Sequence, residues 1–246
     1  MSTKSPARAA KRASAGKSHP NQLIAALPRA DRTRLLAACK PVDLTLGDYL
    51  HQPGTRIRHA YFPTASFISD ITPINGNSGL EAGLIGSEGM CGIPLTLGVN
   101  VSAYQSLVQG SGPALRIGAA VFRREPAQSP AMRRLLERYA FVLMTQLAQA
   151  AVCISSHVVE QRLARWLLMS HDRAHMDTFD VTHAFLAKML AVRRVGVTTA
   201  AGVLQKKKLI RYARGRMEII NRRGLEAAAC ACYRIDRATY QRHMGQ

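Results

Sequence analysis

From Ala131 to Gln161 the chain runs AMRRLLERYAFVLMTQLAQAAVCISSHVVEQ without a glycine or a proline. Nothing in that stretch breaks a helix, and Leu136, Ala140, Leu143, Leu147, Ala150 and Ile154 recur at alternating four and three spacing, which is the seam of a coiled coil. A helix this long, apolar around most of its circumference, needs more cover than one small domain supplies. A second copy of the chain is therefore expected along Leu136, Leu143, Leu147, Ala150 and Ile154, giving a two-fold homodimer. The apolar middle, Ala140 to Ile154, spans 15 residues and includes Thr145, Gln146 and Gln149. That falls short of the roughly 20 residues a bilayer demands, so no membrane span is expected.

The helix separates two stretches of different character. Before it, DLTLGDYLHQPG, HAYFPTASFISDITP, LEAGLIGSEGMCGIPLTLG and AYQSLVQGSGPALRIG read as short β runs broken by Gly, Pro and Asn, after a short helical stretch from Asn21. Strands at such spacing predict an antiparallel barrel of the jelly-roll kind. The glycines Gly86, Gly89, Gly92 and Gly98 have no following helix with Lys and Ser or Thr, so they form no phosphate-binding P-loop.

Charge is uneven along the chain. The net is +19 from 34 Lys and Arg against 15 Asp and Glu; residues 1–20 contribute +5, residues 21–159 +4 and residues 160–246 +10. The first stretch, MSTKSPARAAKRASAGKSHP, lacks apolar periodicity and the apolar core of a signal peptide, and reads as a disordered basic arm. The strongly basic last third points to an anionic partner. Cys39, Cys91, Cys153, Cys230 and Cys232 are odd in number and scattered, which fits a reducing cytoplasm and neither a disulfide framework nor paired metal ligands. The two-residue spacing of Cys230 and Cys232 is poor for one metal on a helix, so both read as small buried residues and no metal is expected.

In that last third, Asp180-Val181-Thr182 reads as an N-cap for HAFLAKML, and a second helix follows after a tight turn. Counted from His183, small Ala187 is fifth, Ala191 ninth in the turn, and Val197 fifteenth, with Leu186, Leu190, Val192 and Ala200 at the apolar positions around them. A small fifth residue lets two helices cross closely and the fifteenth locks the second onto the first, the steric logic of a helix-turn-helix. Ala191 stands where Gly is usual, which makes the turn costlier. Arg193, Arg194, Thr198 and Thr199 then fall on the outer face of the second helix and are the expected base readers. An Arg can grip guanine O6 and N7 with two hydrogen bonds. Lys206 and Lys207, followed by Lys208, lie at the far end and suit phosphates, as do Arg214 and Arg216 with Arg211 on a two-stranded wing turning at Arg214-Gly215.

The order of parts, with VTHAFLAKMLAVRRVGVTTAAGVLQKKKLIRYARGRMEI in the last third, resembles the Crp/Fnr family of bacterial transcription regulators. The resemblance implies an α+β chain: a basic arm over residues 1–20, a cyclic-nucleotide-binding-like sensor barrel over 21–130, a dimerisation helix over 131–158 and a winged helix-turn-helix over 159–246. It further implies double-stranded DNA, self and RNA polymerase as partners, a cytoplasmic location, no catalytic role, and Arg194 in the place of the guanine-reading arginine. Val195 stands where the best-known members carry Glu, so the same operator is not expected. In CGIPLTLGVNVSAYQS, Gly92-Ile93 replaces the Gly-Glu pair that holds the ribose, and Val101-Ser102 replaces the Arg-Ser pair that holds the phosphate. With both charged contacts missing, cyclic AMP is not expected to bind, the effector is unassigned, and no cofactor is expected.

Two other classes are weaker. A cupin-like barrel enzyme needs converging His and Glu ligands, and the barrel stretch offers only His51, His59, Glu81 and Glu88 without a tight His-x-His; His171 and His175 lie beyond it without a third ligand. A membrane-surface protein recruited by its positive charge is a reading that the paired helices make unnecessary.

Overall fold

The structure, a computed structural model, describes residues 20–74 and 79–245. The basic arm expected over residues 1–20 lies outside the described residues except for Pro20. Two short helices come first, α1 (Gln22–Ala25) and α2 (Arg29–Ala38). Pro28 separates them, because proline lacks the N–H a continuous helix would need and stands as the N-cap of α2.

Seven strands follow: β1 (Lys40–Leu44), β2 (Tyr49–His51), β3 (His59–Pro63), β4 (Phe67–Pro73), β5 (Gly79–Ile85), β6 (Gln105–Gly110) and β7 (Gly112–Gly118). They form two antiparallel sheets, ordered β1-β7-β3 and β2-β6-β4-β5. The strands are thus divided between two sheets instead of closing into one barrel. Leu44, Tyr61, Ile68, Ile85, Cys91, Val108 and Ala114 fill the space between them. The stretch MCGIPLTLG, expected as β, instead holds a 3-10 helix at Ile93–Leu97. Gly92 and Gly98 flank it at φ of 99° and 79° and Pro94 sits in its first turn, a backbone no strand can adopt.

After α3 (Ala119–Phe122) and α4 (Arg124–Gln128), the long helix α5 runs Pro130–Ser156. Pro130 occupies a first-turn position, where its missing N–H costs nothing, and the Ser129 hydroxyl accepts from Met132 N at 3.0 Å. By length and composition α5 is apolar enough to cross a membrane. Its first half, however, is committed to the protein interior: Met132, Leu135, Leu136, Tyr139 and Val142 pack with Leu23, Ile24, Leu35, Phe62, Met90 and Phe122.

The last third comprises α6 (Val159–Ala174), β8 (Thr178–Asp180), α7 (His183–Met189), α8 (Arg194–Lys206), β9 (Ile210–Ala213), β10 (Arg216–Ile219), α9 (Arg222–Ala228) and α10 (Cys232–Met244). The wing has three strands, ordered β8-β10-β9, one more than the sequence signals showed. Leu163, Trp166, Leu167, Leu186, Val197, Ala200, Ala201, Leu204, Met217 and Leu225 form its core. Polar contacts join it to the sheet region, among them Trp166 Nε1 donating to Glu81 Oε1 at 3.0 Å, Arg173 pairing with Glu88 at 2.8 Å and Arg173 Nε donating to the Leu84 carbonyl at 2.9 Å.

Candidate nucleic-acid interface

Helix α7 begins where the Thr182 hydroxyl accepts from Phe185 N at 3.1 Å, the N-cap read from the sequence. The turn after it is left-handed at Ala191, φ 49°, the conformation for which Gly is the usual residue. Arg162, buried on α6, donates to the Leu190 carbonyl and so satisfies the end of α7 from inside the domain. Burial depresses the affinity of that guanidinium for its proton, so the contact holds the turn against an electrostatic cost.

Helix α8 then presents two faces. Val197, Ala200, Ala201 and Leu204 are buried, while Arg193, Arg194, Val195, Thr198 and Thr199 are exposed together, Val195 at 68%. Arg193 is the N-cap, in extended conformation, and Arg194 opens the helix. The four residues expected to read bases therefore share one open surface. The two threonines are held more firmly than their exposure suggests, because Thr198 and Thr199 donate to the carbonyls of Arg194 and Val195, each at 3.1 Å. Their hydroxyl lone pairs remain to accept from a partner.

A feature without a sequence signal braces this surface. The His183 ring stacks on Tyr212 of the wing, centroids 4.2 Å apart at 16°, and its Nδ1 lies 3.0 Å from Thr198 Oγ1. One imidazole thus ties the start of α7, the exposed face of α8 and β9. Burial, then the nearby charge of Arg194, lowers its pKa and keeps the ring neutral near pH 7. The spacing count began at His183 but could not show that it meets Tyr212.

The cations expected on phosphates divide. Lys206 is exposed on α8 and stands about 18 Å along the helix axis from Arg194, at the 1.5 Å rise per residue. Lys207 is paired with Glu160 at 2.7 Å, so it reaches an anionic partner only by giving up that bridge. On the wing, Arg214, at φ 51°, and Arg216 are exposed beside the turn, and Arg211 pairs with Glu218 at 2.9 Å.

The residues expected to form a dimer seam also divide. Leu136 is only 2% exposed, covered by the protein's own sheets and α1–α2, so no second copy is required to bury it. It leaves the seam for that reason. Leu143, Ala150 and Ile154 are half-buried. Leu147, Phe141, Met144 and Val152 form the open apolar face, Met144 at 66%.

Where α5 crosses the second sheet, a cavity of about 330 Å³ is lined by Ile85, Ile93, Leu97, Tyr104, Leu143, Met144 and Leu147, with Asp70 and Glu137 as its charged members. Among the described residues no Lys or Arg lines it. Arg116, a candidate substitute for the missing cation, sits on β7 opposite Tyr61, in the other sheet. Burial raises the Asp70 carboxyl to about 6, against a hydrogen bond donated by Ser106 at 2.5 Å. The ligands a cupin would need do not converge: His51 donates to the His59 carbonyl, Glu81 accepts from Ser69 and Trp166, and Glu88 pairs with Arg173.

Residues 161–228 match the family described as Crp-like helix-turn-helix domain. Among solved structures, FixK2 from Bradyrhizobium japonicum superposes with a TM-score of 0.66 at 8% identity, over 78% of this chain and 98% of that one. CLP, the c-di-GMP responsive global regulator of Xanthomonas campestris, gives 0.64 at 14% identity over 78% and 99%. A CRP-family transcriptional regulator from Thermus thermophilus, TTHB099, gives 0.62 at 17% identity over 76% and 96%. At these identities the likeness is one of fold. A search of curated protein sequences finds no match to the chain.

Proposed function

We infer that this chain, with its Crp-like helix-turn-helix domain over residues 161–228, is a transcription regulator of the Crp/Fnr type. Two copies associate along the open face of α5, and each lays α8 into the major groove of double-stranded DNA. Their half-sites then lie about one helical turn apart. The observation that carries this reading is the shared exposure of Arg193, Arg194, Thr198 and Thr199 on a helix whose opposite face is buried. Arg194 and Arg193 address base edges, with Thr198 and Thr199 completing the surface. Lys206, Lys207, Arg214 and Arg216 hold phosphates on either side.

The cavity beside α5 supports an effector unlike a cyclic nucleotide. Its walls are apolar and its charged members are carboxylates, so a phosphate anion would enter without a cation to meet it. A small apolar or cationic molecule fits that chemistry and would press directly on Leu143, Met144 and Leu147 of the dimer helix. The proposed setting is a bacterial cytoplasm with RNA polymerase as the downstream partner, and no catalytic role or membrane partner is assigned.

The test compares Arg194→Ala with Lys206→Ala on specific and scrambled duplexes at several salt concentrations. Arg194→Ala is expected to lose roughly 1–3 kcal/mol on the specific site and to leave scrambled binding nearly unchanged. Lys206→Ala is expected to weaken both duplexes alike and to make the slope of log affinity against log salt shallower by about 0.9 per contact. If Arg194→Ala weakened both duplexes equally, α8 would not be the reading helix.

A further inference from the structure

Three of the five cysteines, distant in sequence, meet at one place. Cys153 lies in the last turn of α5, His157 caps that helix one turn later, Cys230 sits in the link between α9 and α10, and Cys232 is the first residue of α10. Their three sulfurs and one imidazole nitrogen all lie within 4.8 Å of one another, and the three thiols are buried. Cys153 Sγ is 3.5 Å from Cys230 Sγ, and Cys232 Sγ is 3.6 Å from His157 Nδ1.

These distances are close to those of a tetrahedron around one ion. With zinc–sulfur bonds of about 2.3 Å and zinc–nitrogen bonds of about 2.0–2.1 Å, the edges of such a site come to about 3.8 Å between sulfurs and about 3.6 Å between sulfur and nitrogen. No separation among the four atoms, all within 4.8 Å, would have to shorten by more than about 1.2 Å. The Cys-x-Cys spacing, unsuitable on one helix, works here because Cys230 precedes α10 and is free of its geometry.

We propose that Cys153, His157, Cys230 and Cys232 bind one Zn²⁺ per protomer in a closed tetrahedral site. Binding displaces up to three thiol protons and leaves a Cys₃His centre of net charge −1 with a neutral imidazole. The surroundings suit that charge. Gln149 Nε2 already donates to Cys232 Sγ at 3.0 Å, the kind of outer contact that orients a metal-bound thiolate. Arg165 on α6 lies near enough to Cys153 and Cys230 to feel their charge, and its Nε is buried with no acceptor among the described residues. The guanidinium already pairs with Asp236 at 2.6 Å, and thiolates on zinc would give it a second negative neighbour. Soft sulfur with one imidazole in a four-fold shell favours zinc over the oxygen-seeking cations.

The position explains what such a site would do. His157 and Val158 form the joint between α5 and α6, where the long helix passes into the DNA-binding part. A metal there ties the end of α5 and that joint to the start of α10, closing a loop of the chain between Cys153 and Cys230. Like other structural zinc sites it would contribute directly to folding stability.

The experiment is elemental analysis of the full chain, purified at neutral pH under reducing conditions without chelator, followed by replacement of the metal with cobalt. The expected result is about one zinc per protomer, and a cobalt form whose visible bands and sulfur-to-metal charge transfer mark a tetrahedral thiolate site. Cys230→Ser and His157→Ala should each lower retained zinc by on the order of tenfold or more. Cys39→Ser, outside the cluster, should retain it. If a cluster variant fails to fold, the metal content and cobalt spectrum of the unaltered protein still decide. A folded protein that takes up no zinc on loading, or one in which peptide mapping under the same conditions finds Cys153 joined to Cys230 as a disulfide, overturns the proposal.

Discussion

Asp70 shows how burial of one residue makes the stability of the two-sheet region depend on pH. Its carboxyl is raised to about 6 because it sits among apolar walls, with the Ser106 hydroxyl as its hydrogen-bonding partner. The folded state therefore binds this proton more tightly than the unfolded chain, where the carboxyl titrates near 3.8. The stability it contributes is complete below about pH 4 and is lost as pH rises through about 6. Asp70→Asn mimics the protonated form at every pH. Urea unfolding between pH 4.5 and 7 should show the variant gaining on the unaltered protein as pH rises, and a constant difference across that range would exclude the burial invoked here. A ligand carrying a positive charge into the cavity would ionise Asp70 and reverse its preference.

Among the elements, α5 and α8 make the same contrast between a committed face and an open one. Both were legible as helices because helical spacing is local, and α8's buried residues, Val197, Ala200, Ala201 and Leu204, are the ones its period marks. For α5 the period marked an apolar seam but not its owner. Leu136 went to the protein's own core, while Met144 and Leu147 stayed open, and only the docking of the sheets against the first half of the helix decided between them. Met144→Glu accordingly places a charge on the open face without entering the core. It should leave secondary structure intact and shift sedimentation from dimer to monomer at micromolar concentration, with loss of tight binding to a two-half-site duplex. A dimer of unchanged strength would move the interface elsewhere. Membrane spanning, which α5 satisfies by length and composition, is at odds with a first half buried against the protein's own sheets.

At the scale of the whole molecule, the two-sheet region and the helix-turn-helix region meet around Glu81. Its carboxylate accepts from Ser69 at 2.6 Å, from Gln109 at 3.2 Å and from Trp166 at 3.0 Å, joining β4, β5 and β6 to α6. Burial raises its pKa, and these donors act against that rise. Glu81→Ala would leave Trp166 Nε1 and the Ser69 hydroxyl without their acceptor, while Gln109 keeps Ser69 Oγ, at a cost of roughly 1–3 kcal/mol for the unmet hydrogen bonds. Trp166 is the chain's single tryptophan, so its fluorescence reports on this junction alone. The variant should show a red-shifted emission and a lower urea midpoint; emission unchanged in both respects would mean that the junction does not depend on Glu81.

The sequence by itself determined the helix-turn-helix, since each requirement, small Ala187, tight Ala191 and apolar Val197, is met within fifteen consecutive residues. It also determined where the positive charge lies, because that depends only on which residue types are present. Only the tertiary structure decided what met across long stretches of chain. His183 found Tyr212, Glu81 found Trp166, and Cys153 found Cys230 from 77 residues away. Such pairs leave no periodic trace, because their distance is set by how whole helices and sheets pack and not by the spacing of the residues themselves.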